Sequence, residues 1–321
     1  MKTRLSPTVA RCLLAAAILA FHAPAMLAAG LTYYVAKKMS DSNNGTATST
    51  PFKTIQKAVT VAVAGDTVNT RSGTYRETVT PSNSGTASAK ITYQNYRGEA
   101  VTISGADQIT AAWSVDAGKI YKTTVTLTKG DRNQVFVDGA AMALARWPNC
   151  TNSTFMDQQA LRTVQRSSGG TITDTNLSDA EGFFQGASVA YTDDGLPQYH
   201  WVYYKGKVTA SGASLGHTLK LAKGPSGPGG LFWLFSSRNL LDAPREWYYD
   251  STNAQFYLYT PAGDSPVTNR VEVKARNYSL DLSGRSHLNI TGINTFGCGL
   301  LTDESSSYNT IDGMTADYGP N

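Results

Sequence analysis

From Asp66 to Gly105 the chain breaks into β-prone runs too short to stand as the arms of independent hairpins. They are Asp66–Thr70, Thr78–Val79, Lys90–Tyr93 and Ala100–Ile103, punctuated by Ser72-Gly73, Ser82–Gly85, Arg97-Gly98 and Ser104-Gly105. Gly and Asn/Ser clusters supply turns, and pieces this short carry no firm register as isolated ribbons. Such strands gain most when similar coils stack, each pairing in parallel with the next about 4.8 Å away. The far end of the chain has the same texture. His287–Ile293 matches Tyr308–Met314, setting Ile290 against Ile311 and Gly292 against Gly313. That shift of about 21 residues lies in the range of solenoid repeats. Ser279–Leu282 is expected as a further strand of the same stack.

One helix is expected before these coils. Thr50 reads as an N-cap with Pro51 at the first helical position, Phe52, Ile55, Val59 and Ala62/Val63 fall on one face, and Gly65 closes the element. A helix over 51–64 with a single apolar stripe needs one flat apolar surface, and the end of a coil stack provides it.

Tyr33–Val35, Ser40–Thr46, Pro51–Ala58, Ala64–Val68 and Gly73–Glu77 together resemble the opening of secreted right-handed parallel β-helix proteins of the pectin-lyase-like fold. That group includes calcium-dependent β-helix pectate lyases and β-helix glycoside hydrolases related to xylosidases and fucosidases. The resemblance is close over about residues 31–105. It implies the fold more strongly than the reaction, because proteins of different chemistry share this opening.

Between Ala111 and about Thr268 aromatic residues become dense, and alternating runs such as Gln134–Val137 and Gln255–Tyr259 lie beside turn residues. Asp250–Asn253 reads as the turn of a hairpin joining Glu246–Tyr249 to Gln255–Tyr259. Phe136–Gly139, Ala145–Asn149 and Glu246–Asp250 also resemble segments of the β-helix glycoside hydrolases, in which a sandwich-like region interrupts the helix. The expected fold is therefore all-β: a right-handed parallel β-helix with an N-terminal capping helix and an inserted antiparallel, sandwich-like subdomain. The expected divisions are 30–110 for the first coils, 111–268 for the insert and 269–321 for the returning coils. The chain stops at Asn321 without a visible capping element, so either it is a fragment whose catalytic coils are expected beyond Asn321, or its final coil is covered in an unusual way.

A glycosidase needs two carboxylates, about 5–5.5 Å apart if retaining and 6.5–9.5 Å if inverting. Stacked coils can present such pairs, and the candidates are Asp303, Glu304, Asp312 and Asp317, with Asp281 in a neighbouring coil. Each also reads as a turn or surface residue. Arg146 and Trp147 are candidates for sugar binding, since an aromatic face stacks on pyranose C–H groups and a guanidinium donates planar hydrogen bonds. The competing reading makes Trp147 a core anchor and Arg146 its neutralised neighbour. Hydrolysis of a polysaccharide ranks ahead of β-elimination. Calcium is implied only for the lyase alternative, which needs clustered Asp ligands and a basic group. A non-catalytic glycan-binding or adhesion β-helix is the alternative from another class. His200, His217 and His287 lack zinc-site spacing.

Residues 1–29 read as an export signal: Lys2, Arg4 and Arg11 precede an apolar run from Leu13 to Phe21 that is too short to span a bilayer. Cleavage is expected after Ala25 or Ala29. Removing this segment takes three of the 28 basic residues and none of the 24 acidic ones, leaving a net charge of about +1. The balance gives no argument for nucleic acid, and no second long apolar run argues for a membrane in the mature form. A secreted or periplasmic location follows. Cys150 and Cys298 would remain, either as a disulfide or, preferred here, as free buried thiols.

Overall fold

The computed structural model describes residues 30–150, 161–178, 180–192 and 203–319. The expected export signal lies outside the described residues, as do His200 and Trp201. The chain is mostly β, with parallel sheets at its two ends and, between them, sheets that are antiparallel except where Ala143–Leu144 pairs in parallel with Glu246–Trp247.

The first parallel sheet takes its strands from both ends of the chain: Thr32–Val35, Thr67–Thr70, Ile91–Asn95, Leu288–Thr291 and Thr310–Asp312, in that spatial order. A second contains Gly73–Tyr75, Val101–Ser104, Ile293–Phe296 and Ala316–Asp317, again all parallel. A third pairs Tyr278–Asp281 with Gly299–Leu301, and Val79 joins it through a bridge to Leu280. The chain passes from one sheet to the next and returns one place further along. The repeat expected from sequence is present: Ile290 pairs with Ile311, and Gly292 and Gly313 both turn at positive φ, 64° and 60°, where glycine is favoured. Inward-facing residues Val35, Val68, Ile91, Tyr93, Ile103, Leu288 and Ile290 fill the space between these sheets.

The helix is shorter than the expected 51–64, running from Ile55 to Val61 with Thr54 as its N-cap. Asp41 explains the shift. Its carboxylate accepts from the backbone N–H groups of Lys53 and Thr54 at 2.8 and 2.9 Å and from the Thr54 hydroxyl, holding this stretch outside the helix. Phe52 is left extended and bridges to Val35 in parallel. Glu77 then accepts from the first helical N–H groups, Ile55 and Gln56, at 3.0 and 2.9 Å. Ile55, Ala58 and Val59 bury the apolar stripe against the stack.

Between Gln108 and Val271 the chain leaves the parallel sheets. Ser114–Ala117, Ile120–Thr124, Gln255–Tyr259, Glu246–Asp250 and Ala143–Leu144 form a five-stranded sheet that contains the expected hairpin, with Tyr249 opposite Phe256. A seven-stranded sheet contains Arg146–Trp147, Leu231–Phe235, Ser188–Tyr191, Tyr204–Ala210 and Thr218–Leu221. A four-stranded sheet, with Val135–Val137 and Val271–Lys274 at its centre, meets the parallel stack. Asp138 and Gly139, at φ 51° and 85°, make its two-residue turn. Arg76 of the stack pairs with Glu272 of this sheet, and Arg276 with Asp107 at 2.5 Å. Phe136 packs its ring against Phe296 and Tyr318 of the stack, with centroids 4.7 and 5.0 Å away.

Candidate functional site: a groove where three antiparallel sheets meet

A groove of about 1210 Å³ opens where the antiparallel sheets converge on the last coil. Residues of the seven-stranded sheet make one wall, Gln134, Val135 and the 130–133 turn another, and Trp247 and Tyr249 come from the five-stranded sheet. Tyr318 reaches the groove from the parallel stack. Strand register explains the first wall. Lys207 pairs with Ser188, Ser188 with Phe235, and Phe235 with Arg146, so these side chains form one row across a single sheet face. Lys207, Ser188 and Phe235 line the groove, whereas Arg146 is covered and only 5% exposed.

Arg146 and Trp147 are therefore parted by the pleat. As consecutive strand residues they point to opposite faces, so a single cleft cannot take both. Arg146 lies over the Trp233 ring at 5.8 Å, and its Nε donates to the Pro148 carbonyl at 3.1 Å. Trp147 packs against Phe184 and Phe232 on the other face, with centroids 5.8 and 6.0 Å away.

The four candidate carboxylates lie on the last coil and are exposed. Asp303 accepts from the Gly284 N–H at 3.0 Å and from the Ser305 and Ser306 hydroxyls at 2.8 and 2.9 Å. These bonds, that from Gly284 first, hold its carboxyl well below the usual range and tie its turn to the coil before. Glu304 is next to it in that turn, and Asp312 ends a strand of the first parallel sheet. Asp317 ends the neighbouring strand of the second, immediately before the groove-lining Tyr318. Among the described residues, no three His, Cys, Asp or Glu side chains come together as a metal site.

Glu246, expected only as a hairpin residue, is the most perturbed carboxylate of the insert. It is 2% exposed, and its carboxylate accepts from the backbone N–H groups of Arg146 and Ala243, both at 3.4 Å. Burial, reinforced by the nearby Asp242 charge, raises its carboxyl to about 8. Cys150 and Cys298 are both free, Cys298 buried and Cys150 half-buried. Among the described residues no helix is long and apolar enough to cross a membrane.

Residues 38–82 match the model of a protein family of unknown function (DUF1565). Over 88 residues the chain is 41% identical to the uncharacterized protein YwoF of Bacillus subtilis, a span of 27% of this chain and 19% of that protein. Over 84 residues it is 44% identical to pectate lyase PEL9 of Emericella nidulans, covering 26% of this chain and 20% of that one. The matched segments thus span about a fifth of each curated relative. A solved glycoside hydrolase structure superposes with a TM-score of 0.61 at 18% identity, covering 83% of this chain and 50% of its own. At that identity the likeness is one of fold.

Proposed function

We propose that this is an exported carbohydrate-active protein that holds a polysaccharide in the groove and cleaves it by hydrolysis. Its scaffold is a right-handed parallel β-helix, with coils at 30–110 and 269–321 and an inserted antiparallel unit at 111–268. The observation that carries the reading is the groove itself. It is a space of about 1210 Å³ lined both by the aromatic residues Phe235, Tyr249 and Tyr318 and by the polar residues Asn133, Gln134 and Ser188. Aromatic faces beside polar groups suit sugar rings, which are apolar on their faces and polar at their edges. The superposition on a glycoside hydrolase supports the same fold for this use.

None of the four carboxylates on the last coil is itself a lining residue; Asp317, next in sequence to the lining Tyr318, is the proposed acid–base or nucleophilic group, acting with a second carboxylate. Asp303 has a competing structural task in its turn. β-elimination is the second reading, favoured by the pectate lyase match over 84 residues and requiring calcium in that case.

The test is incubation with xylan, pectate and alginate, followed by assays for reducing ends and for ultraviolet-absorbing unsaturated ends. Reducing ends without absorbing products support hydrolysis, and absorbing products support elimination. Binding without cleavage leaves a glycan-binding module. Neither binding nor cleavage of any polymer overturns the proposal.

A further inference from the structure

The groove walls carry an uneven distribution of charge. Lys205, Lys207 and Lys223 line it, and Asp131 is the acidic residue among the lining groups. Asp131 is already paired with Lys205 at 3.0 Å. Lys205 and Lys207 are two residues apart on one strand and so project from the same face. Lys223 arrives from a different segment, just after Thr218–Leu221. A Cβ on Gly206 would stand 2.8 Å from the Lys223 carbonyl oxygen, so the chain at Lys223 passes close beside this strand.

The opposite wall adds positive charge behind the surface. Lys274 is buried and donates to the Oε1 of Gln134, a groove-lining residue, at 3.2 Å. Burial holds this ammonium below the ordinary lysine range, and the like charges of Arg132 and Lys129 push the same way. These two flank Gly130 and Asp131 in the turn that borders the groove. Cations from four separate stretches of chain therefore surround one concave space, in a protein whose mature charge is close to neutral. A cleft lined by one sign of charge focuses its field on a ligand of the opposite sign.

We propose that the groove selects glycans bearing negative groups, carboxylate or sulfate, and holds those groups against the wall formed by Lys205, Lys207 and Lys223. This rests on the reading that the groove is the saccharide site. Lysine ammoniums act as compact point charges with rotatable donors, so they suit anionic groups repeated along a flexible chain without demanding one planar geometry.

The test compares equilibrium binding of polygalacturonate, dextran sulfate and neutral xylan at low and moderate salt. The variant is Lys205→Gln/Lys207→Gln/Lys223→Gln, whose sites are all exposed, with folding checked by circular dichroism. A second variant, Lys38→Gln/Lys53→Gln/Lys119→Gln, loses the same charge from exposed positions outside the groove. Binding of an acidic polymer should exceed that of xylan and weaken with salt, and should fall about tenfold or more in the groove variant. It should be unchanged in the second variant. Preference for polygalacturonate or for dextran sulfate identifies carboxylate or sulfate as the recognised group. Equal losses in both variants, or acidic binding that survives the groove variant, overturn the inference. Tight binding of xylan without acidic preference also overturns it while leaving the groove reading intact. Failure to bind any of the three polymers removes both.

Discussion

Leu288 lies beside Ile91 in parallel register, although residues 96–287 separate their strands. Both side chains are fully buried in the core of the parallel stack. The first parallel sheet therefore continues across the excursion as though the chain had not left it, and the two terminal regions share one apolar core.

Leu288→Ala tests that continuity. Emptying a fully buried leucine site should cost about 2–5 kcal/mol, read as a lower urea midpoint. A loss below about 1 kcal/mol would mean that the two halves of the sheet contribute to stability separately.

Glu77 tests the helix entry. Its carboxylate satisfies the N–H groups of Ile55 and Gln56 from more than twenty residues downstream. Glu77→Ala should destabilise the protein by about 1–2 kcal/mol, with amide exchange fastest at Ile55 and Gln56. Uniform acceleration of exchange would argue against a local cap.

Glu246 gives a pH dependence. Its carboxyl titrates near 8 in the folded protein, against about 4.5 when free. Between these values the folded state binds more protons than the unfolded state, so its contribution to stability falls as pH rises through that window. Below about pH 4.5 both states are protonated there and the effect vanishes. Glu246→Gln should remove this slope, so that its stability relative to wild type improves by about 3–4 kcal/mol between pH 5 and pH 8. Parallel stability curves for the two proteins would sink the assignment.

Asp317→Asn tests the proposed chemistry. Loss of a reacting carboxylate should lower turnover by about 100-fold or more, with glycan binding retained. Unchanged turnover would move the reaction to another carboxylate.

Much of the stack was legible because every coil solves the same problem. Ile290 and Ile311 repeat in sequence because each must fill the interior one strand apart, and the register follows directly. The start of the helix was not legible from Thr50 and Pro51, because Asp41, distant in sequence, captures Thr54 and resets the cap. Arg146 and Trp147 looked like partners as neighbours in sequence, yet strand alternation sends them to opposite faces. The lysine wall was harder still to see. Lys205, Lys207 and Lys223 read singly as solvated charges, and they meet only because the segment after Thr218–Leu221 returns to the same groove. Glu246 gave no sign of burial, since its cover comes from the Arg146 segment, remote in sequence.

The meeting of Ile91 and Leu288 has a further consequence. The joint closes with ordinary neighbour geometry although the chain between the two residues builds three further sheets. Phe136 on Phe296 and Arg76 on Glu272 tie that excursion back to the rungs it leaves, so its seating is set by side-chain contacts as well as by the seam.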